Sequence, residues 1–212
     1  MVKRFLPLAA VFALAFAACK PPKYIEYRSA AGDFSCDVPY AWQVFYDEAG
    51  SDYNNYTFVG PFDPDFYRGA PSLSVRWYAR DSVHPLPLGG EESYRDADDF
   101  IAKTLSELYG EQAFLEVPVR DVQVSGFVAK HFVVSSPMAV GRDTVYGAAR
   151  DAEGNVAVLR QHAYIVLPMD NGFYVLTYPA TRVGFKKHEV LFNALVNTFK
   201  VYRDGPAGPG FR

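Results

Sequence analysis

The sequence predicts an α+β domain in which a mostly antiparallel sheet is covered by two helices. The order of its periodic segments is strands, helix, strands, helix. Apolar residues recur at every second position in the strand-like segments and with helical spacing in two others. The chain also has 15 Tyr and 17 Phe among its 212 residues, an aromatic content typical of sheet-rich folds. An antiparallel sheet with two helices packed on it is the simplest arrangement that buries these apolar faces.

Four strands are predicted in the first half of the domain. The first has Phe34, Cys36 and Val38 on one face. The second begins at Trp42, which we expect to be buried, and the third spans residues 56–59. The fourth has the clearest alternation, with Leu73, Val75 and Trp77 on one face and Ser74, Arg76 and Tyr78 on the other.

The first predicted helix follows these strands. Ser93 or Asp96 can cap it, and Gly110 can end it. Its apolar face consists of Ala97, Ile101, Leu105 and Leu108. Further strands are then predicted over residues 117–135, with a turn or bulge at Gly126, and over residues 156–168. A hairpin turn at Met169–Gly172 leads to the strand 173–179, and a last helix spans residues 185–199.

The N-terminal segment has the pattern of an export signal. Lys3 and Arg4 precede an apolar run of 12 residues, Phe5–Phe16. This run is too short to cross a bilayer, which takes about 20 apolar residues. The letters FAAC, which end at Cys19, resemble the lipobox of bacterial lipoproteins, although Phe16 stands where that family usually has Leu. The resemblance implies a signal peptide over residues 1–18 and fatty acylation of Cys19, which becomes the new N-terminus.

An alternative reading of the same segment remains open. Ala15, Phe16 and Ala17 also form an A-x-A cleavage site, which would release a soluble protein that keeps Cys19. Cys19 could then pair with Cys36, the other cysteine, in an oxidising compartment. A cysteine followed by a proline-rich linker favours the lipid anchor instead. In that case Cys36 is a free thiol that we expect to be buried in its strand.

The predicted domain resembles the PsbP-like family at both ends. The letters FSCDVPYAWQVF look like the family's opening motif, and GFYVLTYPA with FKKHEVLFNALVNTFKV looks like its closing hairpin and helix. The resemblance covers residues 32–202 and implies an α/β/α sandwich without a shared catalytic set. Residues 19–31 are then a tether and residues 203–212 a disordered tail. Residues 137–155 match poorly and are interpreted as an insertion.

Chemical motifs are scarce along the chain. The four histidines, His84, His131, His162 and His188, have no metal-type spacing, and those at 131 and 162 are expected to be structural. We find no G-x-S-x-G elbow, phosphate-binding glycine loop or C-x-x-C pair, so no catalytic residue, metal or cofactor is predicted. The net charge of -3 and the lack of a basic run argue against a nucleic-acid partner.

One loop is the candidate binding segment. Its rings and acids, Phe62, Asp63, Asp65, Phe66 and Tyr67, combine features that suit carbohydrate or protein contacts. The alternative is that the rings fold back onto the sheet while the aspartates shape turns. We weigh this structural alternative as the more frequent outcome for such a loop.

Two classes of function remain. The first is a non-catalytic binding or scaffold module, anchored to the membrane through its lipid and facing an envelope protein partner. The second is an envelope enzyme of hydrolase type whose site has no local motif. Because Lys20 is not the aspartate that retains many lipoproteins at the inner membrane, we expect the outer membrane, facing the periplasm.

Overall fold

A long antiparallel sheet forms the centre of the protein. The structure, a computed structural model, describes residues 23–48, 52–85, 90–139, 149–150, 156–203 and 205–206. In this part of the chain the order of the main sheet is β3-β4-β5-β12-β11-β9-β8, with β10 paired to β11. A three-stranded sheet, β1-β2-β13, and the ribbon β6-β7 accompany it. The strands are β1 Tyr24–Arg28, β2 Phe34–Pro39, β3 Gln43–Glu48, β4 Tyr53–Val59, β5 Ser72–Ala79, β6 Val83–Pro85, β7 Glu91–Ser93, β8 Phe114–Val124, β9 Phe127–Ala139, β10 Ala149–Arg150, β11 Val156–Pro168, β12 Gly172–Thr181 and β13 Lys200–Val201.

Helices lie on both faces of the main sheet. Helix α1 spans Ala97–Lys103 and continues as a π-helix, Thr104–Tyr109, and a short 3-10 turn, Gly110–Gln112. Helix α2 spans Phe185–Thr198. Strand β12 shows how the layers form, because its successive side chains point to opposite faces. Phe173 and Val175 pack in the cluster under α1, whereas Tyr174 and Leu176 pack in the cluster under α2 and the small sheet. The α/β/α sandwich with a mostly antiparallel sheet is therefore confirmed.

Local signals in the sequence correctly placed several turns and caps. Asp96 caps α1, since its side chain accepts a hydrogen bond from the Asp99 amide at 2.8 Å. Ser125 and Gly126 join β8 to β9, and both have positive φ. The predicted hairpin between β11 and β12 closes with a hydrogen bond from the Met169 amide to the Gly172 carbonyl.

Part of the predicted tether belongs to the fold. Tyr24–Arg28 forms β1, which pairs antiparallel with β2, so the folded domain starts before residue 32. The reason is the ring of Tyr27, which packs in the core against Phe34 and Phe58. The proposed signal peptide and Cys19 lie outside the described residues.

The predicted tail and insertion also differ from expectation where the structure describes them. Gly205 is buried, and a Cβ atom at this position would come 2.4 Å from the Trp77 ring. Residues 137–139 are the end of β9, and 149–150 form β10. The remainder of the segment 137–155 and residues 207–212 lie outside the described part.

Two core predictions have different outcomes. Cys36 is 1% exposed, as expected for a structural thiol, has no disulfide partner in the described part of the chain, and has a pKa raised by burial. Trp42 is only partly buried, although its indole packs against Gly60, where a Cβ atom would lie 2.7 Å from the ring. It therefore contributes less to the core than a fully buried tryptophan would.

Candidate functional site

The predicted binding loop is largely a packing element. Phe66 is 1% exposed and packs against the ring of Tyr178 and the glycine at 184. A Cβ atom on Gly184 would lie 2.7 Å from the Phe66 ring, so the missing side chain makes the space that Phe66 fills. Because its ring is buried, Phe66 does not form part of an accessible binding surface. Phe66, a candidate binding residue, is corrected to a packing residue, in line with the structural alternative that we weighed as the more frequent outcome.

The two aspartates of this loop hold it against helix α2. The Asp63 carboxylate is 2.9 Å from Lys187 Nζ and 3.0 Å from His188 Nε2, and it also accepts the Asp65 amide. Burial alone would raise the pKa of Asp63, but these hydrogen bonds outweigh it and lower the pKa to about 2. Asp65 forms a second ion pair with Lys187 at 3.1 Å. These contacts give both aspartates a structural role.

Phe62 and Tyr67 have different surroundings. Phe62 is 65% exposed. Tyr67 is half-buried and lies at the edge of a cavity on the main sheet, with its ring stacked at 6.4 Å from that of His162. Tyr67 is thus the one predicted binding residue that the fold brings to a pocket.

That cavity, which we call the sheet-face pocket, exists because α1 covers only part of its face of the sheet. Under the helix this face is apolar, with Phe173 and Val175 on β12. Further along the same face of β12 the side chains are Thr177 and Pro179, and both line the pocket. The π-helical turn ends at Tyr109, and Leu108 forms the border of the pocket. Such turns occur frequently at functional sites.

The sheet-face pocket has a volume of about 340 Å³, and its wall combines polar and apolar side chains. Five strands, the π-helix and the loop after β4 contribute to it. Its lining residues are Tyr53, Asn55, Thr57, Tyr67, Arg68, Ser72, Ser74, Arg76, Leu108, Met138, Arg160, His162, Tyr164, Thr177 and Pro179. Three of these are arginines and none is an aspartate or glutamate. The wall is therefore positively charged and rich in hydroxyl groups.

Arg76 occupies the middle of β5 and is half-buried. Its guanidinium donates to the Tyr78 hydroxyl at 3.1 Å and to Thr177 Oγ1 at 3.0 Å. Burial alone would lower the pKa of Arg76, but the surrounding tyrosine oxygens, Tyr78 first, and Glu92 more than compensate and raise it. The group therefore stays charged, and two hydrogen bonds fix its orientation.

Arg160 is held in a similar way on β11. Its Nη2 donates to Ser136 Oγ at 2.8 Å and to the Leu108 carbonyl at 3.2 Å. Its guanidinium also lies 4.7 Å from the centre of the Tyr109 ring, a cation–π distance. The end of the π-helix thus positions this arginine.

A buried chain of hydrogen bonds lies beside the arginines. The Tyr109 hydroxyl is 2.6 Å from His162 Nδ1 and 2.7 Å from the Tyr164 hydroxyl. Burial, together with Arg160 and other nearby arginines, lowers the pKa of His162 to about 3, so its ring is neutral at neutral pH. Burial raises the pKa of Tyr109 and Tyr164, so both remain protonated. His162 is therefore hydrogen-bonded, as expected, and it also lines the pocket.

The sequence alone does not predict the sheet-face pocket. The sequence does show polar residues on one face of a predicted strand, Ser74 and Arg76 on β5. The same pattern is typical of a solvent-facing surface, so it does not indicate a pocket. Further polar residues of this kind lie on β11, where Arg160 and His162 point the same way. Only the sheet order brings the two strands, separated by β12, to one pocket.

Within the described ranges, His, Cys, Asp and Glu side chains do not gather in any group of three that could hold a metal ion. The helices of this part of the chain are all too short or too polar to cross a membrane.

Comparisons with known proteins give structural neighbours but no family. Neither a scan against protein-family models nor a search of curated proteins finds a match. The chain is similar to cyanobacterial PsbP (CyanoP) from Synechocystis sp. PCC 6803, with 14% identity, a TM-score of 0.49, and coverage of 89% of this chain and 99% of that one. It is also similar to LpqN of Mycobacterium tuberculosis, described as involved in cell envelope biogenesis, with 14% identity, a TM-score of 0.42, and coverage of 84% and 90%. Because both TM-scores are below 0.5, the fold is established by the sheet and helices described above.

Proposed function

We propose that this protein is a lipid-anchored lipoprotein of the cell envelope whose domain is a non-catalytic binding module, with the sheet-face pocket as its ligand site. The observation that supports binding is the wall of this pocket, where fixed charged donors face a cavity and the described lining residues include no carboxylate. Concave sites with a few oriented polar groups are the usual places for small ligands. An envelope protein partner would then contact the domain elsewhere on its surface.

The alternative, an envelope hydrolase, requires an activated nucleophile. Ser72 and Ser74 line the pocket, but neither is hydrogen-bonded to a base among the described residues. His162 is neutral, and its Nδ1 is occupied by Tyr109. These contacts favour binding over acyl transfer.

Filling the sheet-face pocket tests the binding function. Thr57→Trp places a large ring among the lining residues, whereas Gln43→Trp adds the same ring on the exposed edge strand β3. We expect native mass spectrometry of protein extracted from envelope membranes to find a bound small molecule in the wild type and in Gln43→Trp, and none in Thr57→Trp. Equal retention in all three proteins would place the ligand elsewhere. Conversion of that molecule into a product by the wild type would favour the enzyme alternative.

The anchor is proposed from the apolar segment and the small residues before Cys19. A single acyl chain binds membranes only marginally, but two or more give a stable anchor. We propose the outer membrane as the location, with the domain facing the periplasm.

Cys19→Ser is expected to abolish incorporation of labelled palmitate and to move the protein out of the membrane fraction or leave it unprocessed. The matched control is Cys36→Ala, which removes the other cysteine of the chain and should leave labelling unchanged. Labelling of Cys19→Ser at the level of the wild type would refute the lipoprotein assignment.

A further inference from the structure

The charges of the sheet-face pocket are unbalanced. Within the described residues no carboxylate lies within ion-pair distance of Arg68, Arg76 or Arg160. Three surface lysines do have such partners, among them Lys130 with Asp121 at 2.7 Å. Glu92 is linked to Arg76 only through the Tyr78 hydroxyl, at 3.4 Å. For the half-buried Arg76 and Arg160 this distribution is the reverse of the usual one, in which the more buried charges are paired.

Hydrogen-bond donors are also in excess at this site. The Nε atoms of Arg76 and Arg160 are buried and have no acceptor in the described part of the chain. His162 is 6% exposed, and its Nε2 atom likewise lacks a partner there. When Tyr109 donates to Nδ1 of this neutral ring, Nε2 carries the proton and becomes a further unsatisfied donor. Buried polar groups without partners are uncommon and require an explanation such as a ligand.

The hydroxyl groups of the wall complete the set of donors. Ser72, Ser74 and Thr177 line the pocket, and each can donate a hydrogen bond, whereas the Thr57 hydroxyl already donates to Asn55 Oδ1 at 3.4 Å. Thr177 Oγ1 already accepts from Arg76, so its own proton remains available for a ligand. A phosphate group has more acceptor oxygens than a carboxylate and matches a site with several arginines and hydroxyls better.

The size of the pocket indicates that a phosphate would not be the whole ligand. A volume of about 340 Å³ lies within the range of small-molecule sites. Tyr67, Leu108 and Met138 supply an apolar and aromatic part of the wall on which an organic group can pack. The pocket therefore combines a donor-rich region with a less polar region.

We infer that the sheet-face pocket binds a phosphomonoester, with the phosphate held by Arg76, Arg160 and Arg68 and the organic remainder against Tyr67, Leu108 and Met138. The inference rests on the proposed function as a binding module and names its ligand class. The phosphate could belong to a free organic phosphate or to a lipid head group, which present the same chemistry to the arginines.

Titration calorimetry on the full-length protein in detergent tests this inference. Glycerol 3-phosphate represents the soluble source and dihexanoyl phosphatidic acid the lipid source, with dihexanoyl phosphatidylcholine as the phosphodiester control. We expect at least one phosphomonoester to bind, and Arg68→Gln to weaken its binding about tenfold or more. Arg68 is exposed, so its replacement should leave the fold intact. The charge-matched control is Arg182→Gln, which removes an exposed arginine outside the pocket and should bind like the wild type.

Arg76→Gln provides a second variant, expected to reduce affinity about 100-fold. Its circular dichroism and melting temperature must be compared with the wild type, because Arg76 also contacts Tyr78 and Thr177. Preference for phosphatidic acid over glycerol 3-phosphate identifies a lipid head group, and the opposite preference identifies a soluble ligand. Either preference supports the inference if both pocket variants lose affinity.

Other outcomes overturn the inference. Equal phosphate affinity in Arg68→Gln, Arg182→Gln and the wild type would place binding outside the pocket. Binding of citrate, but of neither phosphomonoester, would identify a carboxylate ligand and leave the proposed binding function standing. If native mass spectrometry finds a neutral ligand that Thr57→Trp abolishes, the phosphomonoester inference is wrong and the proposed binding function still stands. If no phosphomonoester binds and no ligand is lost in Thr57→Trp, both the phosphomonoester inference and the proposed binding function are refuted.

Discussion

Phe66→Ala is expected to lower the free energy of unfolding by about 3–5 kcal/mol, the range for removing a buried phenylalanine ring. The ring is 1% exposed and fills the space left by Gly184 at the start of helix α2. Its loss would leave a cavity between the loop, β12 and the helix, since Tyr178 and His188 also contact it. Chemical denaturation of the purified protein measures the difference.

Phe62→Ala is the matched control for this prediction. It removes the same side chain from the same loop, but its ring is 65% exposed. We expect a change within about 0.5 kcal/mol, as for most surface substitutions. Similar losses in the two variants would contradict the packing described here. A large loss for Phe62→Ala alone would mean that the two rings exchange roles.

These two rings show what the sequence could and could not predict. In a strand, alternation decides which face of the sheet each side chain points to, and Leu73 and Val75 were placed on one face correctly for that reason. A loop has no such period, so Phe62 and Phe66 look alike in the sequence. What distinguishes them is Gly184, which is distant along the chain and has no side chain to occupy the space. That information is available only once the fold is known.

The sheet-face pocket was unpredictable for a related reason. The polar face of β5 was visible in the sequence, but whether such a face meets solvent, a helix or a cavity depends on pairing between distant strands. In the structure Thr177 pairs with Ser74 on one side and Tyr164 on the other, which places their three polar side chains in one wall. Helix α1 and the π-helix then end before they cover this region. Local periodicity contains neither fact.

Strand β1 shows a third limit of prediction from the sequence. The segment after Cys19 was interpreted as a tether because it is rich in charge and proline. One ring, Tyr27, was enough to attach it to the core, and its backbone pairs with β2. Edge strands need few apolar side chains because their other face and edge remain in solvent. As a result only the short stretch before Lys23 separates the described fold from Cys19.

The second large effect is expected at Asp63. Asp63→Asn should lower the free energy of unfolding at pH 7 by about 2 kcal/mol, from the depression of its pKa from 3.8 to about 2. Because the folded-state pKa is the lower one, the carboxylate stabilises the fold above pH 3.8. This contribution is lost as the pH falls from 3.8 through about 2. Lys187, His188 and Asp65 are the charged or titratable side chains in contact with this carboxylate or its partners.

The expected result is therefore a difference between wild type and Asp63→Asn that is large at neutral pH and shrinks in acid, measured by urea denaturation at a series of pH values. Asp65→Asn is the control, since its carboxylate is 38% exposed and shares only the ion pair with Lys187. An ion pair of this kind contributes at most about 1 kcal/mol. A difference for Asp63→Asn that stays constant between neutral pH and pH 3 would mean that the loss comes from packing. In that case the ion pairs with helix α2 would not be what holds the loop in place.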